Sequence, residues 1–101
     1  MKKIRILEDL IGRLGKHNYY SILDKGIEKH ELDILAIRVL HNKWYAFAFE
    51  IGTNNMFNRK TKEKNLYEYT KPLDCFYDKV YKFYVYPKKT LRRNYYVEEI
   101  K

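Results

Sequence analysis

The stretch His30–Gly52, HELDILAIRVLHNKWYAFAFEIG, reads as two antiparallel strands joined by a tight turn. With a two-residue loop at His41-Asn42, the strands close on Leu40 and Lys43, and facing residues have numbers that total 83. This register sets Asp33, at the start of the first strand, opposite Glu50, at the end of the second, with Cβ atoms roughly 4.5–5.5 Å apart. Like charges so placed repel unless a cation lies between them or one carboxyl keeps its proton. The pair therefore points to a divalent metal site, with a protonated or hydrogen-bonded carboxyl pair as the alternative. A one-residue slip of the loop would separate the two.

Both hairpin strands are apolar on both faces, as in central strands covered on two sides. Leu35, Ile37 and Val39 follow Asp33 on one face, and Leu32, Ile34, Ala36 and Leu40 share the other. In the second strand Ala46 and Ala48 precede Glu50, leaving room for a closely packed helix. Outward from the hairpin, Ile4, Leu7, Leu10, Ile11 and Leu14 predict a helix over 3–15 with Gly15 as its cap. Residues 18–23 read as a short strand followed by a turn at Asp24-Lys25-Gly26. A second helix is expected over 59–70, with Leu66 and Tyr69 inward and the lysines outward, stopped by Pro72. The segment KVYKFYVY, 79–86, predicts a strand with Tyr81, Phe83 and Val85 inward, and Tyr95-Tyr96-Val97 an edge strand. The fold class is α/β: one domain, 1–101, with a central mixed sheet of about four strands flanked by helices. The helical step from the hairpin to 79–86 is expected to be a right-handed parallel crossover.

The net charge of +8 is uneven: residues 51–101 hold twelve Lys/Arg against six Asp/Glu, and residues 1–50 nine against seven. The excess lies in Arg59, Lys60, Lys62 and Lys64 and in Lys88, Lys89, Arg92 and Arg93. A polyanion partner, nucleic acid first, follows from this, although many lysine-rich chains bind nothing acidic. The eleven tyrosines supply either base-stacking surfaces or ordinary strand and core residues. No apolar run reaches the ~18 residues of a membrane span and no signal peptide is evident, so a cytoplasmic location is expected. The single Cys75 is expected to be a buried or half-buried free thiol. His17, His30 and His41 lack zinc-ligand spacing; His30 reads as an exposed loop residue.

Glu8 on the first helix, Glu-Leu-Asp at 31–33, Glu-Ile-Gly at 50–52, the helix near 59–70 and the strand 79–86 resemble, in order and layout, the PD-(D/E)XK nuclease superfamily. Within that superfamily the layout resembles the small archaeal Holliday-junction-resolvase-like members. The resemblance implies a restriction-endonuclease-like core and a metal-dependent DNA endonuclease, working as a homodimer that addresses two strands. It further implies Mg²⁺ or Mn²⁺ held by Asp33, Glu50, the Ile51 carbonyl and Glu8. Two positions depart from the family pattern. Leu32 replaces the motif's Pro, and Gly52 stands where the family has its catalytic Lys. That lysine steadies the attacking hydroxide and the developing phosphorane charge, so Lys60 or Lys64 from the next helix is expected to substitute. The alternatives are a catalytically inactive nucleic-acid-binding module, or a protein-interaction module, on the same fold.

Overall fold

The hairpin closes in the expected register: Leu40 pairs with Lys43 and Ile34 with Phe49. His41 and Asn42 both have positive φ, 50° and 65°, as a two-residue turn matching the strands' right-handed twist requires. The computed structural model describes residues 3–23, 32–53, 55–87 and 95–101. The elements are α1 (Lys3–Lys16), β1 (Tyr20–Leu23), β2 (Ile34–Leu40), β3 (Lys43–Ile51), α2 (Met56–Thr70), a 3₁₀ segment (Lys71–Cys75), β4 (Lys79–Pro87) and β5 (Tyr95–Ile100). They form an α/β fold around a five-stranded mixed sheet in the order β1-β2-β3-β4-β5. Only β3 and β4 are parallel, with α2 as the crossover between them. The edge strand expected at Tyr95-Tyr96-Val97 forms and runs on to Ile100, paired antiparallel with β4, which brings the sheet to five strands.

Residues directly opposite in a ladder share a face, which sorts the core into two layers. On one face Ile34, Ala36, Phe49, Ile51 and Val85 pack with Ile6 and Leu10 of α1. Ile6 and Leu10 lie four apart on a single stripe, and Leu7, Ile11 and Leu14 border it. On the other face Ala46, Ala48, Glu50 and Tyr84 are buried, and α2 lies against β3 and β4 with Leu66 and Thr70 inward. The alanines leave the close approach that a helix needs.

Several local expectations change. Helix α1 runs through Gly15, and the left-handed residue that ends it is Asn18, with φ 67°. Helix α2 starts three residues early because Asn55 caps it, its side chain accepting from the Phe57 and Asn58 amides at 2.9 and 3.4 Å. Tyr84, on the face opposite the inward Tyr81, Phe83 and Val85 expected of this strand, is fully buried, since β4 is covered on both faces. Cys75, expected to be at least half-buried, is exposed on the 3₁₀ segment. The Asp24-Lys25-Gly26 turn lies outside the described residues. Among the described residues no helix is long and apolar enough to cross a membrane.

Candidate functional site

The register brings Asp33 and Glu50 together at one end of the sheet, where they clamp each other's strands. The amide of Asp33 donates to Glu50 Oε1 at 3.3 Å, and the amide of Ile51 donates to Asp33 Oδ2 at 2.8 Å. A lysine from each helix layer reaches the pair. Lys3 Nζ of α1 lies 2.7 Å from Asp33 Oδ1. Lys62 Nζ of α2 lies 3.0 Å from Glu50 Oε2 and 3.8 Å from Asp33 Oδ2. Two carboxylates and two ammonium groups thus share one corner of the fold, with side chains exposed by 2% for Glu50, 11% for Asp33, 24% for Lys62 and 49% for Lys3.

Burial sets the electrostatics. Removal from water and the nearby negative charge of Asp33 raise the Glu50 pKa to about 7, although Lys62 pulls against both. Burial works against the Lys62 charge, yet attraction to Glu50 and Asp33 outweighs it and leaves that ammonium above the ordinary lysine value. Beside the pair opens a cavity of about 290 Å³ lined by Lys3, Ile51, Gly52, Thr53, Asn58 and Lys62. Of the four charged groups, the two cations, Lys3 and Lys62, line that space.

The other expected site residues are distributed differently. Lys60 is exposed, and Lys64, also exposed, lies 4.0 Å from Glu68 on the outer side of α2. Both stand two residues from Lys62, about 200° around the helix, so neither shares its face. Lys62 lies four residues before the inward Leu66, on the same stripe; that spacing was the available signal for it. Lys3 carried no such signal, because only tertiary packing brings α1 to the end of β2. Glu8 is exposed on α1 and lines a separate depression with Asp9, Arg13 and His17. Among the described residues no three His, Cys, Asp or Glu side chains converge as metal ligands.

Arg59 is committed elsewhere. Its guanidinium pairs with Glu63 at 2.9 Å and with Glu98 on β5, and lies over the rings of Tyr84 and Tyr86 at 5.1 and 5.6 Å. It fastens the edge strand to α2 instead of facing a ligand. Glu31, His30, Lys88, Lys89, Arg92 and Arg93 lie outside the described residues. Comparison of the chain with protein-family models, curated proteins and solved structures returns no match.

Proposed function

We propose that the protein is a metal-dependent phosphodiester hydrolase acting on DNA. In this reading Asp33 and Glu50 hold Mg²⁺ or Mn²⁺, and Lys62 takes the part of the lysine that position 52 lacks. The observation that carries it is the convergence of Asp33, Glu50 and Lys62, within 3.0 to 3.8 Å, beside an open cavity. The order of elements, a helix, three antiparallel strands, a second helix and a parallel strand, is compatible with this reading.

The donor set suits a hard cation. Mg²⁺ is commonly held by one or two carboxylates and keeps several waters, so Asp33, Glu50 and the Ile51 carbonyl suffice without Glu8. Such an ion supplies charge neutralisation at a phosphate and a more acidic water. The chain's own residues do the remainder. The Ile51 amide fixes the Asp33 carboxylate in orientation. Lys62 stays protonated and can donate to a phosphate oxygen as its negative charge grows. Lys3, across the cavity, draws the phosphate in. A second copy of the chain would let two such sites address two strands.

A binding module on the same fold is the second reading. The observation favouring it is that Lys3 and Lys62 already compensate both carboxylates. The test is cleavage of branched, duplex and single-stranded DNA in Mg²⁺ and Mn²⁺ by wild type, Asp33→Asn, Glu50→Gln and Lys62→Ala. Hydrolysis by wild type that EDTA stops and that each variant lowers at least about a hundredfold supports the hydrolase. Tight binding without cleavage supports the module.

A further inference from the structure

At the end of the sheet far from the acid pair, one row of side chains alternates aromatic and cationic. Arg38 pairs with Tyr45, and Tyr45 with Lys79, across β2, β3 and β4. Tyr19, one residue before β1, lies beside Arg38, which stands 5.1 Å from its ring centroid. In the next row on the same face Phe47 stacks on Tyr81 at 5.0 Å, and Lys79 Nζ lies 4.9 Å from the Tyr81 ring. Helix α1 covers the rows nearer the acid pair and leaves these half-buried or exposed.

Two features mark this surface as more than strand decoration. Among the described residues, Arg38, Lys43 and Lys79 have no carboxylate partner. Tyr45, half-buried between Arg38 and Lys79, makes no side-chain hydrogen bond or ring contact among them either. At the β4–β5 edge the surface borders a depression of about 410 Å³ that Lys79 and Tyr81 line together with Glu99 and Lys101, the last two 3.9 Å apart.

We propose that this sheet face binds the unpaired nucleotides of a nucleic-acid strand, with Tyr45 stacking under a base and Arg38 and Lys79 holding the flanking phosphates. A flat sheet face presents rings only to bases that are splayed from a duplex, and stacking on such rings tolerates any sequence. Arg38 and Lys79 stand two strand spacings apart, about 10 Å, on either side of Tyr45. The site lies five residues along β2 from Asp33, about 17 Å, and does not require that the acid pair be catalytic.

The experiment is fluorescence anisotropy of labelled oligothymidylate, and of a duplex of equal length, with the full chain in EDTA so that hydrolysis does not enter. Wild type should prefer the single strand. Tyr45→Ala should weaken binding about tenfold, and Tyr45→Phe should restore it to within about twofold. Arg38→Gln and Lys79→Gln should each weaken it and reduce the log–log salt slope by about 0.7. Lys71→Ala, at an exposed lysine outside the row, should change little. Circular dichroism of each variant checks folding, and Lys79→Gln, at an exposed position, carries the test if Tyr45→Ala does not fold. Preference for duplex, equal binding by folded Tyr45→Ala and wild type, or no single-strand binding by wild type at low salt would each overturn the proposal. Cleavage in Mg²⁺ is scored separately, so loss of this surface and loss of the hydrolase reading give different results.

Discussion

Tyr84 stands where a side chain at position 52 would have to begin. A Cβ on Gly52 would lie 2.8 Å from Tyr84 Cε1 and 2.8 Å from Asn58 Oδ1, and nearer still to the tyrosine Oη. That hydroxyl donates to the Thr53 carbonyl at 2.5 Å, so the ring is anchored at both ends of the gap. The lysine absent from position 52 is thus excluded by packing, and the ammonium beside the carboxylates arrives from α2.

Gly52→Ala should lower stability by about 1–3 kcal/mol, because a buried ring must move to admit one methyl group. Gly52→Lys should be worse and should not restore or enhance hydrolysis. Urea midpoints, with cleavage assayed on the folded fraction, check both.

Glu50 makes stability depend on pH. Its pKa in the folded protein, about 7, lies above its ordinary 4.5, so the folded state holds this proton more tightly than the unfolded one. Its stabilising contribution is full below about pH 4.5 and declines as pH rises toward 7, with no further change above. Denaturation of wild type across pH 4–8 should show this falling limb, and Glu50→Gln should lack it.

Lys62→Met should raise the Glu50 pKa further, since the ammonium is what holds it down. Titration followed by the Glu50 side-chain carboxyl carbon signal reads the shift directly. Adding Mg²⁺ to wild type should move the same signal's midpoint down if the pair holds the ion; an unmoved midpoint at saturating Mg²⁺ would speak for the binding module.

Arg59→Ala should cost about 1–3 kcal/mol, because it releases Glu63, Glu98 and two tyrosine rings together. Arg59→Lys should recover little, since an ammonium cannot fork to two carboxylates while lying flat on the rings. Hydrogen exchange of the Tyr95–Ile100 amides should rise in both variants, reporting the loosened edge.

At the hairpin turn, His41→Asn with Asn42→Gly should stabilise by about 0.5–1 kcal/mol, because both positions have positive φ and the replacements adopt it at lower cost. A higher melting temperature with an unchanged acid-pair titration is the expected result.

The hairpin was legible because its information is local. Two apolar runs closed by a two-residue loop at His41-Asn42 set the register, and that register aligned Asp33 with Glu50. Helix α1 and strand β4 were readable for similar reasons, from the spacing of Leu7, Leu10, Ile11 and Leu14 and from the run ending at Pro87, although Ile6 occupies the core and Ile4, expected on the stripe, is exposed. Lys62 was half-legible: Leu66 fixes its face, but a half-buried lysine contradicts the general preference of lysine for solvent.

What the sequence determined by itself is the order of elements, the hairpin register and the acid pair, because each follows from neighbours in the chain or across one turn. The tertiary structure decided which cations meet that pair, that Tyr84 fills the space over Gly52, and that Arg59 is a structural clamp. It also left Arg38, Tyr45 and Lys79 in a row beyond the cover of α1. These depend on how two helices lie across a twisted sheet, which brings together residues such as Lys3 and Asp33, or Gly52 and Tyr84, about thirty positions apart in the chain. No local pattern encodes such meetings, because they arise only when separate apolar faces are buried against one another.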